Sequence, residues 1–309
     1  MTTSARRIES FAVVIPSFNE AATLRTNIDA IRSFLVERTP LAQWSILIVD
    51  DASSDETAEI AAELARDDPR IRMIRRAENG GVDAAIRSGI EAVESDVVVV
   101  LDADLSYRAP VIGALVETLL REEAEVVVAS AYAPGGEVRN VPRTRAILSR
   151  WANRFLAYAV HERVHTLTCI VRAYRTDAVR QLMARRPGGD MTHQLLLDAL
   201  YGGMRVYEIP ARLEWSPQRR SRMGVHAIAQ RTGSVLRAAL HARPSLALAI
   251  PGLIPGILPL AIALGVWAHL PAVQVGIIAS TTFAIQTASL FVFGFHSTSF
   301  ALRTLRKHT

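Results

Sequence analysis

A chain of 309 residues, half of them apolar, can fill one sizeable core plus an appendage, and it is too apolar for a disordered chain. Its net charge of +5 hides an asymmetry: residues 215–309 contain no Asp or Glu and nine of the 35 Lys and Arg, which leaves 26 basic against 30 acidic residues upstream, a net of −4. Basic residues that flank apolar runs without interleaved aromatics argue against nucleic acid and for a membrane with anionic lipids, and a single cysteine, Cys169, excludes an intrachain disulfide.

Residues 1–10 lack the apolar core of a signal peptide, so the N-terminal domain is expected to stay on the side where it is made. Residues 11–15 (FAVVI) read as a buried strand, followed by PSFNE at 16–20 and a helix to about Glu37. Residues 45–49 (SILIV) form a second strand that ends in Asp50 and Asp51, and Asp55 caps a helix running to about Arg66. Residues 71–75 make a short third strand, and ENGG at 78–81 turns into another helix. A fourth strand, VVVVL at 97–101, ends in Asp102-Ala103-Asp104. Strands that alternate with helices, each apolar enough to be covered on both faces, imply a parallel α/β sheet.

In such sheets ligands bind outside the carboxyl ends of the strands, and here those ends carry Asp50 and Asp51, then Asp102 and Asp104. Neither a GxGxxG string nor a Walker loop occurs, so a dinucleotide enzyme or a P-loop ATPase is not supported. Two carboxylates spaced two apart after a strand can aim at one hard cation, and Mg²⁺ takes one or two protein carboxylates plus phosphate oxygens and water. Such an ion neutralises a departing nucleoside diphosphate. The plainer alternative is a pair of surface-loop aspartates.

Downstream, Ile147, Leu148, Trp151, Phe155 and Tyr158 share one helical face near Arg150 and Arg154, so an amphipathic helix is expected at about 143–160. Val225, Ile228, Val235 and Ala239, bordered by Arg231 and Arg237, form a second stripe at 224–243. Each either packs on a core or lies at a bilayer surface. HERVH at 161–165 spells the zinc-hydrolase string HExxH, with His161 and His165 on one helix face and Glu162 to activate water, although no third ligand is evident. Cys169 reads as a buried small residue.

Between Arg243 and Arg303 no formally charged residue occurs. A membrane helix needs about 20 residues, so the segment 244–309 accommodates a hairpin of helices at about 245–267 and 273–295, turning at AHLP (268–271). Pro251, Pro255 and Pro259 are tolerated in a membrane helix packed on a partner, whereas they would break a soluble one. Arg237 and Arg243 precede the hairpin, Arg303, Arg306 and Lys307 follow it, and the turn carries no Lys or Arg. The positive-inside rule then puts both termini and the N-terminal domain in the cytoplasm, as a multi-pass protein of the cell (inner) membrane. The alternative is a hairpin buried in a water-soluble core.

In chain order, VIPSFNE at 14–20, IVDDASSDET at 48–57, NGG at 79–81 with Gly89, LDADLS at 101–106, YAPGG at 132–136, Arg145 with Ser149 and Asn153, RAYR at 172–175 and EIP at 208–210 form one composite pattern. It resembles the family 2 glycosyltransferases with a GT-A fold, in particular the dolichol-phosphate mannose synthases and bacterial polyprenyl-phosphate sugar transferases. The resemblance covers about residues 10–225 and implies a GT-A domain at 1–223, a Rossmann-like, mostly parallel sheet with flanking helices.

What the resemblance implies about the site is specific. Pro16, Phe18 and Glu20 would line the nucleotide pocket, and Asp51, with Asp50 beside it, would hydrogen-bond the base or ribose. Asp102 and Ala103 would contact the nucleotide-sugar. Asp104 would be the main ligand of Mg²⁺ or Mn²⁺, with Asp102 and Ser106 as further candidates, and Asp102 would also be the candidate for assisting deprotonation. Arg145 and Arg172 would meet phosphate, as guanidinium geometry suits, unless each is a surface ion pair. Arg219, Arg220 and Arg222 of the late basic loop would likewise bind phosphate or the acceptor.

The chain also departs from the family pattern. Thr166 stands where an Asp is usual, Ala131 where an Arg is frequent, Asp83 where a Gly is common and Ser216 where the late loop has Arg. These departures leave the nucleotide and metal half intact and bear on sugar and acceptor. The implied activity is metal-dependent, inverting transfer of a sugar from a UDP- or GDP-sugar to a polyprenyl phosphate. The alternative acceptors are another lipid or a growing polysaccharide, although the QxxRW stretch of processive synthases does not occur. A non-catalytic membrane scaffold is the reading outside enzymes. The hairpin is also a surface through which copies of the chain could associate.

Overall fold

The computed structural model describes residues 8–38, 43–142, 164–185 and 194–215, together with Met191 and eight positions from 146 to 157. All of them lie in the compact unit Met1–Val235. The amphipathic helix expected at 224–243 and the hairpin expected at 245–267 and 273–295 lie outside these residues. Among the described residues no helix is long and apolar enough to cross a membrane.

The chain begins with β1 (Ser10–Ser17), α1 (Leu24–Arg38), β2 (Gln43–Asp50), α2 (Thr57–Asp67), β3 (Ile71–Arg75), α3 (Val82–Ala92), β4 (Val97–Val100) and α4 (Pro110–Arg121). It continues with β5 (Val126–Ser130), β6 (Glu137–Arg139), β7 (Arg172–Arg175), α5 (Thr176–Arg185), α6 (Gln194–Tyr201), β8 (Val206–Pro210) and β9 (Arg212–Glu214). Seven strands form one sheet in the order β3-β2-β1-β4-β7-β5-β8, while β6 and β9 pair separately. Pairing is parallel throughout the larger sheet except around β7, which runs antiparallel to both β4 and β5.

The four strands expected in the first hundred residues are present in the expected order; β1, β2 and β4 are buried along most of their length, whereas β3, at the sheet edge, buries only Ile71. The helix after β2 differs by a detail at its start. Its N-cap position is Glu56, whose side chain makes no capping bond. Asp55 nevertheless accepts the Thr57 backbone N–H at 3.1 Å, so it satisfies a first-turn donor from one position upstream.

The core forms because apolar positions recur at the period of each element. Leu24, Ile28, Ile31 and Leu35 of α1 are completely buried, a stripe that seats the helix on the sheet. Each contributes about 1.5–3 kcal/mol of burial. All four valines of β4 and all five residues of β5 are buried. Gly89 lets α3 lie close on β1, because a Cβ there would collide with Val14.

The strand order also positions the site. From β1 the chain moves outward through β2 to β3, then returns so that β4 lies on the other side of β1. Loops leaving β1 and β4 therefore diverge and leave a crevice at the carboxyl ends of these strands.

Candidate active site

The loop after β1 is laced to the loop after β2. Asn19 takes a left-handed backbone (φ 55°), which Asn tolerates better than most residues. Its N–H donates to Ser53 Oγ at 2.9 Å, and its side-chain oxygen accepts the Ser54 N–H at 2.8 Å. The Glu20 N–H donates to Thr57 Oγ1 at 2.7 Å. Pro16 is half-buried near the end of β1, and Phe18, 43% exposed, follows directly after the strand.

At the end of β2 the two acidic residues are turned inward. Asp50, wholly buried, accepts the Ser53 N–H at 3.3 Å and lies 3.4 Å from Arg75 Nε. Asp51 donates its own N–H to Ser17 O at 2.9 Å. Its carboxylate accepts the N–H groups of Gly80 at 3.1 Å and Gly81 at 2.7 Å and pairs with the Arg76 guanidinium. Gly81 has φ +81°, a conformation that favours glycine. Asp51 is thus the anchor of the turn between β3 and α3, and Arg76, which sequence reasoning does not single out, is its ion partner. The only signal for Arg76 is a pair of arginines at a strand end.

The loop after β4 brings Asp102, Ala103, Asp104 and Ser106 into one turn. The Leu101 N–H extends the pairing to Val14 O at 3.0 Å. Asp104 Oδ1 accepts the Ser106 N–H at 2.9 Å, and Asp102 Oδ2 accepts the Ser106 hydroxyl at 3.3 Å. Leu105 is left-handed at φ 50°. The Ser106 carbonyl accepts the Glu214 N–H at 2.8 Å, which joins this loop to β9. Two carboxylates and a hydroxyl within five residues are a hard, all-oxygen donor set, which fits Mg²⁺ or Mn²⁺ completed by diphosphate oxygens and water. Among the described residues no group of three or more His, Cys, Asp and Glu comes together, and a site of this kind requires only one or two carboxylates.

Behind that turn lie Tyr107 and Cys169. Burial pushes the Tyr107 phenol far above its ordinary range, with the neighbouring Cys169 and Asp102 adding to the effect. Cys169 is half-buried, and desolvation is the main cause that raises its thiol to about 11; Arg172 opposes the shift and nearby Asp102 adds to it. Both groups are therefore neutral at physiological pH. A thiol at that level should react with a disulfide reagent at pH 8 about a hundredfold more slowly than an ordinary cysteine, because the thiolate is the attacking species. Timed labelling of the native and the denatured chain checks this.

Arg172 is wholly buried in β7. Its guanidinium donates to Leu167 O at 2.9 Å and to Tyr174 Oη at 3.2 Å, while Nε has no partner among the described residues. It is held inside the fold instead of at an open phosphate-facing surface, and it is not a surface ion pair. Asn153, also buried, accepts the N–H groups of Leu167 and Thr168 at 2.8 and 3.1 Å and donates to Thr168 Oγ1 at 3.0 Å. Thr166 meets Ser130 hydroxyl to hydroxyl at 2.6 Å.

His165 lies outside any helix. Its N–H and ring Nδ1 both meet the Glu208 carboxylate, at 2.8 and 2.9 Å. That removes the shared helix face on which the HExxH reading depended; His161 and Glu162 are outside the described residues. So are Arg145, Arg219, Arg220 and Arg222. The structure thus brings Pro16, Phe18, Glu20, Asp50, Asp51, Asp102, Ala103, Asp104 and Ser106 to one sheet edge and sets Arg172 behind it.

The model of the family described as Glycosyl transferase family 2 matches residues 12–183. The chain belongs to that family. Among curated relatives of this glycosyltransferase, the polyprenol monophosphomannose synthase of Mycolicibacterium smegmatis is 31% identical over 214 residues, 67% of this chain and 78% of that one. The undecaprenyl-phosphate mannosyltransferase of Micrococcus luteus is 26% identical over 236 residues, 74% of this chain and 94% of that one.

Among solved structures, glucosyl-3-phosphoglycerate synthase from Mycobacterium tuberculosis, in complex with Mn²⁺, UDP and phosphoglyceric acid, superposes with a TM-score of 0.58 at 18% identity, covering 76% of this chain and 78% of that one. Its complex with Mg²⁺ and UDP gives a TM-score of 0.56 at 19% identity, covering 76% of this chain and 79% of that one. At that identity the likeness establishes the fold, an α/β GT-A-like sheet with flanking helices. This family 2 enzyme is therefore a glycosyltransferase of the polyprenyl-phosphate sugar transferase-like kind.

Proposed function

We propose that the protein transfers one sugar, with inversion, from a UDP- or GDP-sugar to a polyprenyl phosphate at the cytoplasmic face of the cell membrane, using Mg²⁺ or Mn²⁺. The observation that carries this reading is the convergence of Asp102, Asp104 and Ser106 in one turn at the carboxyl end of β4, across the crevice from the β1 loop. The names of the two curated relatives support the acceptor, and the solved complexes with UDP and either ion support the donor and the metal.

Asp104, with Asp102 and Ser106 beside it, would hold the ion, which when bound neutralises charge on the departing diphosphate. The Phe18 ring and the loops holding Pro16, Glu20 and Asp50 would bound the nucleotide, and Asp51 would fix the β3–α3 turn that closes the pocket. Ala103 and Asp102 would contact the nucleotide-sugar. A phosphate oxygen of the lipid forms the new bond to the anomeric carbon as the bond to the diphosphate breaks. Because that oxygen is already anionic, Asp102 has little proton to remove, and positioning carries most of the rate. Arg145, Arg219, Arg220 and Arg222 would pair with phosphate. Arg172 would act from inside the fold by holding Leu167.

The domain plan is a transferase at 1–223, a juxtamembrane helix at 224–243 and a transmembrane hairpin at 244–309, through which copies could associate. Ile147 and Trp151, 58% and 66% exposed and four residues apart, support contact with the bilayer beside the exposed Arg150 and Arg154. The double variant Ile147→Ser, Trp151→Ser should raise KM for the lipid about fivefold or more and leave KM for the donor unchanged, since it removes apolar area that faces only membrane. Steady-state assays in mixed micelles measure both constants.

The test of the function as a whole is a screen of UDP- and GDP-sugars against the full chain and polyprenyl phosphate, with Mg²⁺, Mn²⁺ or chelator. Transfer to the lipid that chelator abolishes supports the reading. Transfer only to other acceptors, or transfer indifferent to chelator, overturns it.

A further inference from the structure

We infer that Asn27 is a positioning residue for the Asp102–Asp104 turn; this rests on the metal-dependent reading given above. Asn27 belongs to the first turns of α1, next to the buried stripe of Leu24, Ile28 and Ile31. Asparagine is a poor helix former, and an apolar residue would extend that stripe more favourably. What asparagine supplies there is a donor: Nδ2 reaches the Ala103 carbonyl at 2.8 Å, across 76 positions of sequence. Only the amide nitrogen can donate to a carbonyl, so the orientation of the side chain follows from its partner.

The carbonyl it grips lies between the two acidic residues. A peptide unit is planar, so holding the Ala103 oxygen fixes the plane that also contains the Asp104 nitrogen, and with it the direction in which Asp104 leaves the chain. Other backbone bonds hold the loop at other points. Leu101 is bonded to Val14, Leu105 to Asp102, and Ser106 to both Asp104 and Glu214. The loop also carries a left-handed Leu105, a conformation that persists only where surrounding bonds over-determine it. Asn27 supplies that constraint from the α1 side, while β9 supplies it from the other. Groups that orient a metal ligand tune affinity by about ten- to a hundredfold when removed.

The test titrates Mn²⁺ into the full chain at saturating UDP or GDP, with free Mn²⁺ read by its electron paramagnetic resonance signal. Asn27→Leu keeps the volume and removes the donor. Asn27→Asp keeps the shape and sets an oxygen against the carbonyl, and it stands in if the leucine variant fails to fold. Each should weaken Mn²⁺ binding about tenfold or more. The Mn²⁺ concentration for half-maximal transfer should shift by the same factor, with kcat at saturating Mn²⁺ within about threefold of the parent.

Asp104→Asn serves as the reference. If it weakens Mn²⁺ binding and neither Asn27 variant does, the Asn27 inference falls and the site reading stands. A loss of thermal stability and of kcat that is equal at every Mn²⁺ concentration, with affinity unchanged, would make Asn27 a merely structural residue and also overturn the inference. If Asp104→Asn itself leaves Mn²⁺ binding intact, the site reading is what has failed.

Discussion

Replacing Asp104 by Asn is expected to lower kcat about a thousandfold, because Lewis-acid stabilisation of a leaving diphosphate is worth several kcal/mol and each 1.36 kcal/mol is a factor of ten. The substitution is chosen so that little else changes. The asparagine side-chain oxygen can still accept the Ser106 N–H that Asp104 Oδ1 accepts at 2.9 Å, so the turn keeps its shape and loses only a charge. Thermal stability should therefore stay within about 2 °C of the parent, a change below 1 kcal/mol for a domain of this size. Raising Mn²⁺ should not restore the rate, whereas a defect confined to ion affinity would be rescued. Measuring transfer against Mn²⁺ concentration, alongside a melting curve, separates the two. Full activity in the variant would remove Asp104 from the chemistry and leave the β4 turn as a pair of ordinary loop aspartates.

Asp104 was legible in the sequence because everything that places it is local. Four consecutive valines read as a central strand, and two carboxylates two apart directly after it fall at the sheet's carboxyl edge whatever the rest of the chain does. The same holds for β1, β2 and β3, whose apolar runs and flanking turns lie within a few residues of one another. Beyond β4 the local signals thin out. The placement of β7 between β4 and β5, antiparallel to both, depends on which distant edges meet, and RAYR contains no mark of its direction. Arg172 shows the consequence. As a string it reads as a cation available to phosphate, yet the strand that contains it is interior, and its guanidinium ends on Leu167 and Tyr174. His165 is the converse: a motif match that tertiary structure redirects to Glu208.

Asp51 was legible as important and illegible in its use. An acid at the tip of β2 points to a ligand edge, but its partners Gly80, Gly81 and Arg76 come 25 to 30 residues later and reach it only because β3 docks beside β2. Asp51→Ala should therefore behave as a folding lesion and a donor-site lesion together. It leaves the N–H groups of exposed Gly80 and half-buried Gly81 without their acceptor and the Arg76 guanidinium, whose side chain is only 20% exposed, without its counter-charge. Removing one partner of a buried pair costs about 3–5 kcal/mol. At 2–4 °C per kcal/mol the melting temperature should fall by roughly 10 °C. KM for the donor should rise as the β3–α3 turn loosens, with the lipid KM unaffected. The decisive comparison is with Arg76→Met and the double variant. If the pair works as a unit, the double variant should be more stable than Asp51→Ala alone, because the uncompensated charge is gone and only the bonds from the Gly80 and Gly81 amides are lost. Strictly additive losses in the cycle would mean that Arg76 is no partner of Asp51, and that the Gly80 and Gly81 amides alone hold the turn.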